Sequence, residues 1–497
     1  MLQTYTSAQV RAAEEPLLAL GVPLMDRAAF ALHVRVATVL RDRRGAVAGA
    51  RVVALAGPGN NGGDALYAGA LLARRGVVVH AVVAAARVHE AGLAALRRAG
   101  GRVVTTDDGI DSAAALAAGA DVVLDGLLGT GSDGSGLRGP AGALVEALVA
   151  LSDDGRPYVV AVDVPSGIGV DDGRRDGIAL DADLTVAFGG LTPGLLLPPG
   201  ARAAGRVELA DIGLDLPDAP AVVRLEPGDV AALWPVPTPD AHKYTRGVLG
   251  VVAGSRAYPG AAVLTTSAAV RAGVGMVRYL GDVGDVVVAA HPEVVVGHGR
   301  VQAWVFGPGV SPDDAGQRRR IEYAFEHVLQ RGEPAVVDAG ALELLPGHIG
   351  PHAVLTPHAG ELARVLERCG EDVDRAAVEA EPLRWARRAH ELTGATVLLK
   401  GPVTVVAGAQ GAVYAQADAP AWLSTAGAGD VLAGLLGALL AGRVDAIHED
   451  PSLAAALAAT AALVHGRAAH RANPGGPISA RDVADALPGT IAELLGA

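Results

Sequence analysis

One segment of the sequence combines a glycine-rich turn with an aspartate at the start of an apolar helix. It runs from Ser424 to Gly434 and reads Ser-Thr-Ala-Gly-Ala-Gly-Asp-Val-Leu-Ala-Gly. Glycines let backbone amides approach a phosphate without a Cβ clash, and a helix N-terminus adds a positive field. Asp430 in that first turn could take a proton from a substrate hydroxyl during phosphoryl transfer, so it is a candidate catalytic residue. The alternative is an ordinary helix start in which Asp430 only complements the helix dipole.

Three further segments of the second half place polar residues or glycines at the ends of predicted strands. Leu399 to Thr404 contains a lysine, a glycine turn and a hydroxyl, which suit a nucleotide phosphate. Thr356 to Glu361 includes His358, and Phe306 to Gly309 is another glycine turn. Taken singly, each segment fits an ordinary hairpin, helix start or turn. Ligands bind at the carboxyl ends of strands in α/β sheets, so the segments together favour a binding site.

The first half carries a similar set of polar clusters. Gly57 to Asp64 reads Gly-Pro-Gly-Asn-Asn-Gly-Gly-Asp, Asp125 ends a strand before Gly129-Thr-Gly, and Asp163 ends another before Pro-Ser-Gly. Each alone could be a turn, since Asn-Gly is a strong turn signal. Three such clusters at one sheet edge predict a site.

The residue types at this edge suggest a division of roles. Asn61, Asp125 and Ser166 supply oxygen ligands, which suit a hard cation rather than zinc or copper. Asp163 is the candidate acid/base at the substrate. Asp64 either contacts substrate or caps and orients the loop.

These clusters need a scaffold of alternating strands and helices. In the first half, strands are predicted at residues 51–57, 77–83, 102–106, 121–128, 158–164, 183–188 and 206–211, with a helix at 62–75. In the second half, strands are predicted at 248–253, 303–306, 335–338, 353–356, 396–400 and 404–407, with helices at 428–441 and 452–471. This rhythm indicates α/β domains with mostly parallel, doubly wound sheets. Proline-rich stretches at 214–220 and 234–239 place the boundary, giving domains 1–217 and 222–497.

Composition narrows the class of protein. The chain has 497 residues and a net charge of -13, which argues against nucleic acid or an anionic membrane as the main partner. A single cysteine, Cys369, excludes an internal disulfide and is expected to pack as a small apolar residue. The first 16 residues lack an apolar signal region, and the apolar runs 431–441 and 453–464 are too short to span a bilayer. We therefore expect a cytoplasmic enzyme that acts on small molecules. Its apolar helices suggest that it forms a homo-oligomer.

Taken in order, the motifs of the second half resemble the ribokinase-like superfamily. Within it they resemble the dehydratase that repairs hydrated NAD(P)H using ADP or ATP. The resemblance also rests on the runs His242 to Gly247, Ala253 to Ser255, Tyr258 to Ala262 and Arg271 to Gly273, and it covers about Leu225 to the end. It implies a ribokinase-like α/β/α domain, a Mg²⁺ ion and a set of contact residues. The substrate contacts would be Ala261, Ala262, Gly307, Gly309, His358 and Asp430, and the nucleotide contacts Lys400, Gly401, Pro402, Val403, Thr404, Gly427 and Gly429.

One residue departs from the dehydratase pattern. The dehydratases often have Ser or Thr where this chain has Ala428, and Gly-Ala-Gly-Asp is common in vitamin and sugar kinases of the superfamily. A small-molecule kinase with an accessory N-terminal binding domain therefore remains an alternative. ADP and ATP both remain open as the phosphoryl donor.

The motifs of the first half, from about Ser7 to Leu214, resemble the NAD(P)H-hydrate epimerase domain, a Rossmann-like fold found beside the same dehydratase. The resemblance implies a potassium ion at Asn61, Asp125 and Ser166. The substrate contacts would be Asn60, Asn61, Gly62, Gly63, Asp64, Gly129, Thr130, Gly131, Ser132 and Asp163. Ala65 replaces the usual last glycine of the first motif, and the loop 131–139 is longer than usual. Some members of this family act as non-catalytic binding modules, which is the second alternative for this half.

Together the two resemblances imply a bifunctional repair enzyme. One half would interconvert the R and S hydrates of NADH and NADPH, and the other would dehydrate the S form at the expense of ADP.

Overall fold

The computed structural model describes residues 1–131, 136–150, 156–311 and 313–496. The chain divides into two compact units, one formed by Gln3–Ala221 and the other by Met1–Leu2 with Val222–Ala497. The division lies within a few residues of the predicted domain boundary.

The first unit is a parallel sheet covered by helices on both faces. After strand β1 (Leu2–Thr4), the strands in chain order are β2 (Arg51–Ala56), β3 (Val78–Val83), β4 (Arg102–Thr105), β5 (Val122–Gly126), β6 (Tyr158–Val162), β7 (Leu184–Phe188) and β8 (Arg206–Ala210). The helices are α1 (Ser7–Ala19), α2 (Leu24–Arg44), α3 (Asn60–Ala73), α4 (Glu90–Arg98), α5 (Ile110–Ala118), α6 (Gly139–Ala150) and α7 (Gly200–Ala203).

The sheet of the first unit has the order β4-β3-β2-β5-β6-β7-β8, and every pair is parallel. Apolar side chains of β2 and β5 alternate between two cores. One core includes α2, α3 and α4, and the other includes α5 and α6. A strand buried on both faces reads as a continuous apolar run, as in Val52 to Ala56. The predicted doubly wound fold is confirmed.

The second unit is a larger α/β structure. Its strands are β9 (Val222–Arg224), β10 (Val248–Val252), β11 (Met276–Tyr279), β12 (Val295–Val296), β13 (Ala303–Phe306), β14 (Ala335–Val337), β15 (Ala353–Leu355), β16 (Thr396–Leu399), β17 (Thr404–Ala407) and β18 (Val413–Gln416). Its helices are α8 (Val230–Leu233), α9 (Pro259–Arg271), α10 (Gly284–Ala290), α11 (Ala315–Arg331), α12 (Ala359–Arg368), α13 (Arg375–Ala380), α14 (Pro382–Thr393), α15 (Ala428–Ala441), α16 (Val444–Glu449), α17 (Leu453–Ala472) and α18 (Ala480–Leu494).

The sheet of the second unit has the order β9-β18-β17-β16-β15-β14-β13-β10-β11-β12. The strands from β16 to β12 in this order run parallel, whereas β17 is antiparallel to both of its neighbours. Helices α9, α15, α17 and α18 share one core with the sheet. Helices α11, α12 and α14 pack on other parts of the unit, with the rings of Phe306 and Phe325 joining β13 to α11.

The two most apolar predicted helices are buried, as expected. Twelve residues of α15 are buried, since both its sheet-facing and helix-facing sides are covered. Within the described residues, no single helix is long and apolar enough to cross a bilayer, although the bent pair α1 and α2 passes that test on length and composition.

Cys369 corrects one expectation. It is the C-cap residue of α12, one position beyond the last helical residue, Arg368, and its side chain is exposed there. The prediction that it packs as a small apolar residue was wrong.

Candidate functional sites

The first candidate site lies where the strand order of the first unit reverses. The chain goes from β2 to β3 on one side and later returns to β5 on the other, so a crevice opens at the carboxyl ends of β2 and β5. The loops after these strands are in close contact. A Cβ on Gly57 would lie 1.9 Å from the carbonyl oxygen of Leu127, and one on Gly62 would lie 2.3 Å from that of Gly57. These glycines are needed because no side chain fits there.

The three predicted cation ligands lie around one backbone segment. Ser166 donates to Asp125 twice, from its hydroxyl at 2.6 Å and its amide at 2.8 Å. The amide of Leu128 donates to the Ser166 hydroxyl oxygen at 2.8 Å, and a Cβ on the next residue, Gly129, would lie 2.2 Å from Asn61 Oδ1. Asn61 Nδ2 donates to the Val162 carbonyl at 2.5 Å, which leaves Oδ1 available as a ligand.

Asp125 gives a physical reason for a cation at this segment. It is completely buried, and its pKa is raised by burial against the opposing hydrogen bonds from Ser166 and the Leu127 amide. None of these partners carries a positive charge. A buried carboxylate without a cationic partner is costly, so the oxygen-only donor set fits a monovalent cation.

Asp163 directly follows β6 and has a left-handed backbone, with φ of 70°. This conformation is uncommon for a residue with a side chain, and such residues cluster at functional sites. Oδ1 accepts from the Phe188 amide at 3.3 Å, and the Thr130 hydroxyl bonds to the same carboxyl group. Burial raises its pKa to about 7, with Glu14 contributing in the same direction.

Asp163 opens into a cavity of about 330 Å³. Asn60, Asn61, Asp64, Thr130 and Gly131 share its wall, so the structure brings these predicted substrate contacts together. Gly62 and Gly63 are buried in the first turns of α3 behind them, where a Cβ on Gly63 would lie 3.0 Å from the His89 ring. Ser132 lies outside the described residues.

Sequence reasoning missed the contribution of α1 to this cavity. Arg11 and Glu14 line it, and Arg11 donates to the Thr130 carbonyl at 3.2 Å. Nothing in the local pattern of α1 identifies these residues, because only the packing of the helix against the loops turns them toward the cavity.

The second candidate site lies at the corresponding reversal of strand order, between β10 and β13. A Cβ on Gly307, which has φ of 117°, would lie 1.8 Å from the carbonyl oxygen of Asp338. A Cβ on Gly309 would lie 2.5 Å from the Cβ of Ala261. A Cβ on Gly254 would lie 2.6 Å from the Cβ of Ala262. The glycine turn therefore fits closely between the loop after β10 and the loop after β14.

An ion-pair network lies at the carboxyl ends of β14, β15 and β16. Lys400 Nζ is 2.8 Å from Asp338 Oδ1 and 3.8 Å from Glu361 Oε2. Thr356 Oγ1 donates to the same Asp338 oxygen at 2.9 Å. Burial alone would lower the pKa of Lys400, but Asp338 and Glu361 outweigh it and raise the pKa. Lys400 is therefore a half-buried, charged ammonium group held by two carboxylates, not the solvated lysine of an ordinary hairpin.

The start of α15 faces this network. The ideal Cβ position of Gly429 is 3.5 Å from Lys400 Nζ and 3.9 Å from Asp338 Oδ2, and Gly427 has a left-handed φ of 86°. Burial raises the pKa of Asp430 to about 7, with Asp338 acting in the same direction and Lys400 opposing it. A carboxylate with this pKa is suited to general-base work near neutral pH.

The remaining predicted contacts lie at the edges of the network. Residues Gly401 to Thr404 form the turn of the antiparallel β16–β17 hairpin and the start of β17, with Gly401 and Pro402 exposed. His358 caps α12, where Nδ1 accepts from the amides of Gly360 and Glu361, and burial lowers its pKa.

Three residues that sequence reasoning did not select belong to this second site. Asp338 and Glu361 pair with Lys400, and His465 of α17 is buried close to the backbone of Ala428, with burial lowering its pKa to about 4 against the effect of the Ala428 carbonyl. Asp338 could have been found, since it ends a strand as Asp125 and Asp163 do. His465 could not, because it lies in the middle of an apolar helix.

The His242 to Gly247 run, which helped to define the resemblance, precedes β10 and so lies at the amino end of that strand. Arg246 donates to the Gly273 carbonyl at 2.7 Å, which ties this loop to the turn before β11. The run is therefore at the opposite edge of the strand from Gly307 and Asp430.

Comparisons with known proteins agree with this two-site architecture. Residues 249–488 match the family model described as NAD(P)H-hydrate dehydratase, and residues 22–194 match the model of the YjeF-related protein N-terminus. The bifunctional NAD(P)H-hydrate repair enzyme Nnr of Mycobacterium tuberculosis is 46% identical over 456 residues, covering 89% of each chain. The chain belongs to the family of bifunctional NAD(P)H-hydrate repair enzymes. The resemblance seen in the sequence is thus confirmed.

Two further similar proteins each match about half of the chain. The NAD(P)H-hydrate epimerase of Clavibacter michiganensis is 46% identical over 225 residues, covering 44% of this chain and 94% of the relative. A crystal structure of the ADP/ATP-dependent NAD(P)H-hydrate dehydratase from Bacillus subtilis, co-crystallised with ATP and Mg²⁺, is 27% identical. The match covers 55% of this chain and 99% of the Bacillus subtilis chain, with a TM-score of 0.47.

Proposed function

We propose that this repair enzyme restores hydrated NADH and NADPH in two steps. The first unit epimerises the R and S hydrates, and the second dehydrates the S hydrate back to NAD(P)H at the expense of ADP. The observation that carries this proposal is a pair of carboxyl groups with raised pKa values, one in each unit. Asp163 is buried and Asp430 is half-buried, and each lies beside residues that follow the strands of its own sheet. Relatives that match across both units are named bifunctional NAD(P)H-hydrate repair enzymes.

In the dehydration step, Asp430 acts as the general base. The hydrate carries a hydroxyl at C6, beside the ring nitrogen, and hydroxide is a poor leaving group. Asp430 takes the hydroxyl proton while the oxygen receives a phosphoryl group, and the ring nitrogen then assists the departure of phosphate. Loss of a proton from C5 restores the dihydronicotinamide ring.

The nucleotide binds at the charged edge of the second unit. The amides near Gly427 and Gly429 hold phosphate oxygens, Lys400 provides a fixed positive charge, and the turn from Gly401 to Thr404 contacts the nucleotide. ADP is the donor, and ATP fits the same contacts. Substrate lies against Ala261, Ala262, Gly307, Gly309 and His358.

A magnesium ion fits beside these phosphates. Asp338 uses Oδ1 for Lys400 and Thr356, which leaves Oδ2, near the start of α15, as a hard oxygen ligand. The ion would offset phosphate charge during transfer.

In the epimerisation step, the first unit holds a potassium ion through Asn61, Asp125 and Ser166. Asn60 to Asp64, Gly129 to Ser132 and Asp163 contact the substrate. The ion would neutralise buried Asp125 and fix the segment Leu128–Gly129, against which Asn61 and Ser166 both lie. Asp163 moves a proton at the C6 substituent. We further propose that the enzyme works in the cytoplasm as a homo-oligomer.

The decisive experiment incubates the chain with hydrated NADH and ADP and follows the return of reduced-nicotinamide absorbance. The wild type should restore NADH from both epimers. Asp430→Asn should slow restoration by roughly 10²- to 10⁴-fold, because the general base is lost. Asp445→Asn, which changes an aspartate on α16, is the matched control and should leave the rate unchanged.

Two outcomes would contradict the assignment. Full activity in Asp430→Asn would remove that residue from the mechanism. A stable phosphorylated product without restored NADH would instead support the small-molecule kinase alternative.

A further inference from the structure

Asp64 of α3 has an unusual position in the first unit. The residue is 6% exposed and shares the wall of the 330 Å³ cavity with Asp163. Its Oδ1 is buried and has no hydrogen-bond partner. It does not cap α3, since Gly59 occupies that position and no side chain bonds to the helix start. A buried carboxyl oxygen without a hydrogen-bond partner destabilises the folded state, so its presence beside a cavity points to a function in the site.

The other charged groups around Asp64 do not neutralise it. Asp163 and Glu14 both interact with it electrostatically, and both are acidic. Arg11 acts on Glu14 and donates to the Thr130 carbonyl. These four groups come from α1, α3 and the end of β6, and they account for the titratable side chains that line the described cavity wall.

The surroundings of the two aspartates differ in a way that assigns their charge. Asp163 accepts a hydrogen bond from the Phe188 amide and another from the Thr130 hydroxyl, and both stabilise its ionised form. Asp64 lacks such a donor at Oδ1. Burial raises the pKa of Asp64 well above its usual range, and Asp163 and Glu14 raise it further. Two carboxyl groups whose environments separate their protonation states form an acid and a base.

We propose that Asp64 is the proton donor of the epimerase site and works with Asp163 as an acid–base pair. This inference rests on the proposed epimerase function and extends it by a second catalytic residue.

The proton inventory of the reaction balances with these two groups. Protonated Asp64 gives its proton to the C6 hydroxyl, the C6–O bond breaks as water leaves, and the lone pair of the ring nitrogen forms a C=N bond. Water then attacks the opposite face of C6 and loses a proton to ionised Asp163. The product is the other epimer, with Asp64 ionised and Asp163 protonated. The reverse turnover, or exchange of both protons with solvent, resets the pair.

The test compares Asp64→Asn with wild type in the full chain, measuring epimerisation of the hydrate by a coupled excess of dehydratase. We expect the epimerase kcat to fall by roughly 10²- to 10⁴-fold with little change in KM, because the amide can hydrogen-bond but cannot donate a proton in this way. Asp26→Asn, on exposed α2 surface, is the matched control and should behave as wild type. Unchanged dehydratase activity in Asp64→Asn would show that the chain is folded.

The pH profile separates catalysis from a structural role. The wild type should give a bell-shaped profile of kcat/KM, falling at low pH as Asp163 protonates and at high pH as Asp64 ionises. Asp64→Asn should lose the alkaline limb, and Asp163→Asn should lose the acid limb. Full kcat or a retained alkaline limb in Asp64→Asn would overturn the inference while leaving the epimerase intact. Absence of epimerase activity in the wild type would instead overturn the proposed function.

Discussion

At the residue scale, Asp430 and Asp163 each reach a pKa of about 7, but through different neighbours. Burial is the main cause for both. Asp338 and Lys400 adjust the value for Asp430, whereas Glu14 and hydrogen bonds from residues 130 and 188 adjust it for Asp163. Both aspartates could be selected from the sequence because each combines with a glycine-rich or strand-end motif. Glu14 and His465 could not, since each lies in a helix whose orientation depends on distant packing.

This difference leads to a pH prediction for dehydration. Because Asp430 must be ionised to accept a proton, kcat/KM should fall about tenfold for each pH unit below about 7. Asp338→Asn removes a negative neighbour, so it should lower the pKa of Asp430 and move the acid limb to lower pH. A pH profile of kcat/KM for both proteins measures the shift. A limb that stays fixed or moves upward would show that Asp338 does not act on Asp430 in this way.

At the element scale, both sites depend on loops that approach each other where only glycine fits. The strands and helices that carry these loops were predictable from apolar runs and glycine boundaries, and α15 was predicted with its observed ends. The strands β1, β9, β11, β12 and β18 were not predicted. They are two to four residues long and acquire strand geometry mainly by pairing with neighbours.

Gly129→Ala should disrupt the first site without unfolding it. The new Cβ would lie 2.2 Å from the Asn61 side chain, so that amide must move away from the cation segment. Epimerase activity should fall at least about tenfold and lose its response to potassium, with a stability loss of about 1–3 kcal/mol. Gly119→Ala, at the end of α5 with its nearest contact at 3.5 Å, is the control. Potassium titration of epimerase activity and thermal unfolding give both quantities, and an unchanged potassium response would contradict the assignment.

Gly307→Ala should have the corresponding effect on the second site. Gly307 and Gly350 both have positive φ, of 117° and 90°, so alanine strains the backbone at either position. Only at Gly307 would the Cβ also meet the Asp338 carbonyl, at 1.8 Å, whereas nothing lies within 4 Å of a Cβ at Gly350. Dehydratase activity should therefore be lost in Gly307→Ala and kept in Gly350→Ala. Equal losses in the two variants would mean that backbone strain alone is responsible.

At the scale of the whole molecule, each compact unit contains its own complete set of candidate residues. Two successive α/β patterns can be recognised in the sequence because proline-rich stretches at 214–220 and 234–239 separate them. The contributions of α1 to the first site and of α17 to the second could not be predicted. A local sequence pattern does not show which face of a helix meets a distant loop.

If the two sites work independently, a mixture of two variants, each inactive at one site, should carry out the complete repair reaction. Asp163→Asn alone should consume only the S hydrate, and Asp430→Asn alone should restore little NADH. Equal amounts of both should use the two epimers completely, since the hydrate can diffuse between molecules. The measurement is the final yield of NADH from a mixture of epimers with ADP. A yield that remains near that of Asp163→Asn alone would show that the intermediate does not leave the molecule.

The exposed Cys369 offers a practical opportunity. It is the single thiol of the chain, so one maleimide dye would attach at one defined position. The dye would follow the last turn of α12, whose first turn carries His358 and Glu361. At 1.5 Å per residue, that helix places the fluorophore about 15 Å from the nucleotide edge. Fluorescence from this one attachment point could therefore report nucleotide arrival in real time, without any engineered cysteine.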